Sequence, residues 1–464
     1  MYIYKRKKLA GLCSLIFILS SFNNMQTHAI SLDEEHNFYS SIKGVLETSK
    51  SSSELKENLK PILQEIFNLK IKDYMSSIDS YEENTEKIKN AVLECLNFYD
   101  KNTMLRTHHF GYPANMCECS ELVNVFKYIE KSGFLANNCG DVNETGNYQM
   151  DSKKIEKDIL ELFAKKFGIE DNYWGYVTSG GSESNQWAIN TAFQKHPDGI
   201  LYFCESAHYS IYKNSEHYKR RIISQNSNND ESINCDALFK QIMEDYNETK
   251  SPANIILTWG TTKYGSCDDV KKITDFLISK NIPYYVHVDA ALFGGIPNNQ
   301  LDAPVIKDIK NLNIDSICAS LHKYIGVPTV KSVLLSTKHA FGKHIDYIGQ
   351  TDSTTCGSRD IMPFSTKQQI IDILHHSEPN DYIKNINFFI ECLDKQCISF
   401  IRNKNSNIFV VDAPSDDVCK KYQLSCFSDK SGAKKAHIII FPYQDQKVIK
   451  ELVNDLKNCQ GEQK

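Results

Sequence analysis

From about residue 150 onward, short apolar runs alternate with helical stretches, and this alternation restricts the fold more than any other feature of the chain. The runs at 173–178, 200–204, 254–259, 284–288 and 314–319 have strand length and are mostly bounded by glycine or polar residues. Ahead of them Ile155, Ile159, Leu162, Phe163 and Phe167 fall on one face of a helix, and 268–279 reads as a helical stretch between two of the runs. Fully apolar strands separated by helices predict an α/β fold whose mostly parallel sheet is covered on both faces. Ligands of such sheets gather where the strands end.

The rest of the 464 residues divides by texture. Beyond about residue 375 come a helix at 382–393, strand-like runs at 408–411 and 436–441, and a last helix near 448–456. We read 101–375 as a large domain and 376–464 as a small α+β domain. Residues 30–100 are rich in Lys, Glu, Ser and Asn, with Leu55, Leu59, Ile62, Leu63 and Ile66 at helical spacing. They predict a helical extension, opened or kinked at Pro61, for which a packing role and a partner-binding role fit equally.

At the N-terminus Lys5-Arg6-Lys7-Lys8 precedes the apolar stretch 9–21 and a polar segment ending in Thr27-His28-Ala29. This is the pattern of a signal peptide cut after Ala29. Its apolar run is shorter than the roughly 20 residues a membrane-spanning helix needs. The expectation is an exported protein, periplasmic or secreted, with no stable membrane span after cleavage. A formal charge of -5 provides no basic excess for a phosphate backbone, so no nucleic-acid partner is expected. Fifteen cysteines lack the close, regular spacing of a disulfide-stapled scaffold, and their pairing cannot be read. Cys117-Glu118-Cys119 beside His108-His109 is spaced too tightly for the usual zinc knuckle, and no metal site is expected.

Five segments at strand ends carry chemistry. Ser179-Gly180-Gly181-Ser182 leads from a strand into a helix, where free amides and the positive dipole end suit a phosphate. Taken alone it reads first as a glycine turn with Ser182 capping the helix. Asp289 ends an apolar strand and needs a partner there. A helix-capping role is one reading. A protonated pyridine nitrogen is the other, with the small Ala290 and Ala291 leaving room for a flat ring. His208 follows another strand and could cover the second ring face or bond within its loop. Ser320-Leu321-His322-Lys323 closes a further strand, with Ser320 and His322 able to donate to phosphate and Lys323 able to form an imine with an aldehyde. Gly260-Thr261-Thr262 ends the fifth strand, where a threonine hydroxyl could bond a ring oxygen. A lone lysine is ordinarily a solvated one. Together, the amine, the carboxylate and the phosphate turn suit pyridoxal 5'-phosphate (PLP) and an enzyme acting on amino groups.

In these motifs the chain resembles the PLP-dependent group II amino-acid decarboxylases, most of all bacterial histidine decarboxylases and plant serine decarboxylases. The resemblance runs in order over residues 95–460. It includes His109-Phe110-Gly111-Tyr112-Pro113, Asn137-Asn138-Cys139-Gly140-Asp141, Trp174-Gly175-Tyr176-Val177-Thr178, His208-Tyr209-Ser210, the aspartate and lysine motifs, and Gly357-Ser358-Arg359. It implies a PLP-dependent transferase-like fold of type I with a seven-stranded sheet. It further implies that Lys323 holds the aldehyde, Asp289 the ring nitrogen and Thr262 the ring oxygen. His208 would stack on the ring against Ala291, and Gly181, Ser182, Ser320 and His322 would bind phosphate. Ser358 would reach the site from a second subunit of a homodimer, and Tyr112, Asn138 and Asp141 would line the substrate pocket. The sequence departs from the family pattern at Ser184 and Leu321, both glycine elsewhere, at Val330-Lys331-Ser332, where Pro-Cys-Gly is usual, and at Asp360-Ile361-Met362, where Asn-Gly-His is usual.

The expected reaction is decarboxylation of an L-amino acid to its amine, histidine to histamine first, with serine or another amino acid as the alternative. Two rivals remain open on sequence. One is a different PLP reaction on the same fold. The other is an exported decarboxylase-like binding or effector protein that has lost catalysis.

Overall fold

The computed structural model describes residues 105–116, 123, 137–148, 150–218, 221–337 and 341–462. The expected signal peptide, the expected helical extension and the Cys117–Cys119 pair lie outside these residues.

Seven strands form one sheet: β1 (Trp174–Thr178), β2 (Ile200–Cys204), β3 (Ile222–Gln225), β4 (Ala253–Thr258), β5 (Tyr284–Asp289), β6 (Ser316–Ser320) and β7 (Ser332–Ser336). Their spatial order is β1-β7-β6-β5-β4-β2-β3. The pairs from β3 through β2, β4 and β5 to β6 are parallel, whereas β7 runs antiparallel to both β6 and β1. Strands β1, β2, β6 and β7 are buried at every position, so these apolar runs do not alternate. Two strands were not legible beforehand. β3 is a four-residue, half-buried edge, and β7 offers only Val333-Leu334-Leu335 between two serines.

Helices α1 (Lys153–Phe167), α2 (Gly181–Lys195), α3 (Tyr209–Ser215), α4 (Cys235–Thr249) and α5 (Val270–Ser279) lie between or before these strands. Helix α5 begins where the Asp269 side chain accepts the Lys272 amide at 3.0 Å, which supplies one of the orphan donors of a helix start. The parallel connections bring the ends of β1, β2, β4, β5 and β6 to one edge of the sheet. Because β7 runs the other way, Lys331 enters the sheet from that same edge.

Helices α6 (Phe364–His376) and α7 (Asp381–Lys395) lead to a second, antiparallel sheet of β10 (Ile408–Asp412), β12 (Lys434–Ile439) and β11 (Ser425–Ser428), in that order. A short pair, β8 (Lys343–Ile345) and β9 (Gln350–Asp352), precedes them. Helix α8 (Asp416–Lys421) lies between β10 and β11, and α9 (Gln446–Glu462) ends the described chain. Residues 104–464 form one compact unit. Within it, one apolar core surrounds the large sheet and includes Val288, Ala290, Leu321 and Ile325. A second core joins α7, α9 and the small sheet to Phe110, Leu292, Phe293 and Tyr324. Asp289 and Lys323 therefore stand where one core gives way to the other, since their near neighbours in sequence are divided between the two.

Candidate active site

Asp289 is the last residue of β5 and is buried at 5% exposure. Its Oδ2 accepts the Asn185 side-chain amide at 2.8 Å and its Oδ1 the Ala291 backbone amide at 3.1 Å. A carboxylate has about four lone-pair positions, so these bonds leave capacity for a further donor. Asn185, on α2, in turn takes a hydrogen from His287 Nε2 at 3.1 Å through its Oδ1. His287 Nδ1 lies 2.8 Å from Ser316 Oγ, which also meets the Tyr285 hydroxyl at 2.8 Å. Burial lowers the His287 pKa to about 4, so a neutral ring with hydrogen on Nε2 fits both neighbours. The result is a fixed chain of donors, Ser316 to His287 to Asn185 to Asp289, that holds the carboxylate in place.

Lys323 belongs to the turn that follows β6. Its backbone carbonyl accepts the Asn115 amide at 2.8 Å, and the Asn115 side chain bonds the next carbonyl, that of Tyr324, at 2.7 Å. Part of Lys323 keeps solvent contact, yet atoms crowd the amine enough for desolvation to lower its pKa. The charges of Asp289 and Cys318 oppose that shift. The balance eases deprotonation of the amine, which a nucleophilic lysine requires.

His208 precedes α3 and caps it, its Nδ1 accepting the Ser210 amide at 3.3 Å and lying 2.8 Å from Ser210 Oγ. Nδ1 is thus an acceptor and hydrogen resides on Nε2. Burial lowers the His208 pKa, Asp289 raises it and Lys323 lowers it, so the three groups feel one another across the site. Ser210 also takes a bond from Asn185 at 3.2 Å, tying the histidine to the same network.

The phosphate turn is built around close approach. Gly180 has φ +134°, a conformation that strains any residue with a Cβ. A Cβ on Gly181 would sit 3.2 Å from Ser320 Oγ and 3.8 Å from the Ala291 methyl, so Gly181, Ala291 and Ser320 surround one small space. Ser320 is 1% exposed, and its hydroxyl has no hydrogen-bond partner among the described residues. A buried hydroxyl left unmatched costs about 1–3 kcal/mol. Beside the start of a 15-residue helix, an anionic ligand relieves that cost. The Glu183 carboxylate braces the turn, accepting from Ser179 N at 2.8 Å, Ser179 Oγ at 2.6 Å and the Tyr176 hydroxyl at 3.0 Å. Ser184 is buried with its hydroxyl 2.8 Å from Thr178 Oγ1, which accommodates its departure from glycine, and Leu321 is buried in the core.

Other expected residues stand differently. Ser182 is exposed, and its carbonyl accepts from Asn214 at 2.8 Å. His322 donates from Nδ1 to the Lys331 carbonyl at 3.0 Å, so only Nε2 remains for a phosphate. Thr262 is exposed, whereas Thr261 is buried with its hydroxyl 2.7 Å from Ser266 Oγ. Tyr112 is exposed and stacks on His109 with ring centroids 5.7 Å apart.

Asn138 and Asp141, expected to line the substrate pocket, are held by bonds to the framework. Asn138 donates to Glu156 at 2.8 Å and accepts the Ser152 amide at 2.7 Å, while Asp141 accepts from Trp174 Nε1 at 2.6 Å and from the Asn143 amide at 2.8 Å. Both are buried, so these bonds satisfy groups that would otherwise be orphaned. Ser358 is exposed and accepts from the Asn137 side chain at 3.1 Å.

Sequence reasoning missed Asn185, His287 and Ser210. The one available signal was their position: Asn185 lies one turn into the phosphate-turn helix, and His287 two residues before Asp289 on the same strand face.

Comparison with known proteins agrees with this arrangement. Residues 188–375 match the pyridoxal-dependent decarboxylase conserved domain. The chain is 30% identical over 373 residues to a histidine decarboxylase of Pseudomonas entomophila (strain L48), spanning 76% of this chain and 87% of that one. It is also 30% identical over 349 residues to serine decarboxylase 3 of Oryza sativa subsp. japonica, spanning 72% and 74% of the two chains. Among solved structures, L-methionine decarboxylase from Streptomyces sp. 590, in complex with L-methionine methyl ester, superposes with a TM-score of 0.67 at 18% identity. That match covers 80% of this chain and 94% of the other. The expected type I fold and its seven-stranded sheet agree with this likeness.

Proposed function

The chain belongs to the pyridoxal-dependent decarboxylase family, and from that premise we propose that it removes carbon dioxide from an L-amino acid, with histidine the preferred substrate. The observation that carries this reading is the convergence of Lys323, Asp289 and the unpartnered Ser320 hydroxyl on one edge of the sheet.

The residues present fit PLP. Ser320, Gly181 and the start of α2 form a cradle for its phosphate, with Ser182 and His322 at its rim. Lys323 would hold the aldehyde, and Asp289 has an acceptor position left for the ring nitrogen. His208 and Ala291 would bound the two faces of the ring, and Thr262, exposed beyond β4, would reach its oxygen. The bound ring supplies an electron sink for the pair left when carbon dioxide departs. Every other duty falls to the protein. Asp289, fixed by Asn185 and Ala291, would hold a proton on the ring nitrogen. Burial lowers the pKa of Lys323, which would favour the neutral amine needed to hold the aldehyde. His208 Nε2 and the Lys323 amine are the two groups that could return a proton to the α-carbon.

Histidine leads because the histidine decarboxylase relative matches over most of its own length, and serine follows on the same kind of evidence. By the same proposal the working enzyme is a homodimer whose sites are shared, with the exposed Ser358 directed at the partner's phosphate cradle. Residues 1–29 act as a removable export signal. N-terminal sequencing of the protein from its host, beginning at Ile30, tests the last point.

The decisive experiment is a screen of amino acids with the purified, PLP-loaded protein, reading amine and carbon dioxide by mass spectrometry. Histamine from histidine is expected. Ethanolamine from serine alone would transfer the proposal to that substrate, and no amine from any amino acid would refute decarboxylation.

A further inference from the structure

Far along the chain from Lys323, two thiols meet at the edge of the small sheet. Cys419, in α8, and Cys426, in β11, are free cysteines whose sulfurs lie 3.1 Å apart. Cys426 is exposed and Cys419 half-buried. A third thiol is close by: Cys459 of α9 lies 3.5 Å from the hydroxyl of Ser415, the residue that caps α8. Burial and the adjacent Cys426 push the Cys419 thiol up to about 12. Cys426 is therefore the sulfur that an incoming disulfide reaches first.

Residues between the two cysteines grip a distant part of the chain. The Tyr422 carbonyl accepts the Phe110 amide at 3.2 Å, and the Gln423 side chain donates to the Leu105 carbonyl at 2.8 Å. Ser425 Oγ donates to the Gly111 carbonyl at 3.0 Å. Contact is close enough that a Cβ on Gly111 would run into the Gln423 carbonyl. Gln423 itself has φ +51°, a left-handed conformation that costs a non-glycine residue about 1–2 kcal/mol. The segment 420–425 is thus a strained clamp on the stretch that leads to Tyr112.

We propose that Cys419 and Cys426 form a disulfide that closes this clamp over residues 105–112 when the protein meets an oxidising compartment. The oxidant is a small-molecule or protein disulfide. Cys426, as thiolate, attacks one of its sulfurs and releases one thiol. Cys419, on losing its proton, then displaces the second thiol, so two protein thiols become one disulfide as one oxidant disulfide becomes two thiols. The ring closed is short, and the sulfurs already lie 3.1 Å apart, about 1 Å beyond bonding distance. The inference is independent of the chemistry at Lys323.

The three cysteines fall on different tryptic peptides, 405–420, 422–430 and 458–464. The full chain is equilibrated with oxidised glutathione, alkylated and digested without reduction. Peptide 405–420 joined to 422–430 is expected. Both peptides recovered singly and alkylated, or 405–420 joined to 458–464, would overturn the pairing. Hydrogen exchange then reads the clamp: reduction speeds exchange of residues 105–112 in the wild type and leaves Cys426→Ser unchanged. Equal responses in the two proteins would overturn the clamp. Breaking the bond lowers Tm by about 2–5 °C.

Discussion

Asn185 donates its side-chain amide to Asp289 at 2.8 Å while accepting from His287 at 3.1 Å, so one amide on the phosphate-turn helix fixes the carboxylate at the end of the neighbouring strand. Asn185→Leu removes these two bonds and the one to Ser210, leaving the buried His287 Nε2 without its acceptor and Asp289 Oδ2 without its amide donor. The expected cost is about 1–3 kcal/mol of stability for each orphaned group. Turnover drops on the order of 10-fold or more, because Asp289 is no longer held in its working position. Urea melts and steady-state kinetics check the two effects separately. Wild-type turnover in a folded variant would remove Asn185 from the positioning role.

Lys323→Ala abolishes the covalent, borohydride-fixed PLP label while the fold persists, and equal labelling of the variant would refute the assignment. Asp289→Asn retains the label, since Lys323 is intact, but loses turnover by on the order of 10²-fold or more. The amide cannot stabilise a protonated ring nitrogen as a carboxylate does. Label mass and amine production, measured on the same preparations, distinguish binding from chemistry.

His287 predicts acid sensitivity. Its pKa falls from 6.5 to about 4 on folding. Between those values the unfolded chain carries the extra proton, so stability rises with pH and is lost as pH falls from 6.5 toward 4. The slope approaches about 1.4 kcal/mol per pH unit. Denaturant melts at pH 7 and pH 5 measure it. His287→Gln flattens this window, and an unchanged slope in the variant would place the effect elsewhere.

Lys166 is a buried cation at 7% exposure whose ammonium has no hydrogen-bond partner among the described residues. It rests 4.8 Å from the centre of the Phe167 ring. Burial lowers its pKa from 10.5 to about 7. The folded state therefore binds the proton less strongly than the unfolded chain, and stability rises with pH across that range. Lys166→Met removes the penalty and is expected to stabilise the protein by about 1–4 kcal/mol at neutral pH. Thermal melts at pH 7 and pH 9 test this, the gain being smaller at pH 9.

Two departures from the family pattern prove to be partners. Lys331, buried, donates to the exposed carboxylate of Asp360 at 2.7 Å, and the Lys331 carbonyl receives the His322 ring. Asp360→Ala strands a buried ammonium and is expected to cost about 1–3 kcal/mol, whereas Lys331→Met with Asp360→Ala recovers most of it. A double-mutant cycle by denaturant melts reads the coupling, and additive losses would show that the pair is incidental.

Sequence alone determined the α/β alternation, the small α+β lobe and the motifs at the strand ends. Each of these is local: a strand's apolar run, a helix's spacing and a glycine turn are set by residues adjacent in the chain. The positions of Lys323, Asp289, His208, Gly181 and Ser320 followed, because a parallel sheet carries its strand ends to one edge. Tertiary structure alone decided which side chain satisfies which. The antiparallel insertion of β7 between β1 and β6, the relay through His287 and Asn185, and the pairing of Lys331 with Asp360 join residues 12 to 162 positions apart. The same holds for Asn138 and Asp141, whose framework bonds no motif announces. Burial makes an unmatched polar group expensive, and the partner that relieves the cost is chosen by proximity in the folded chain.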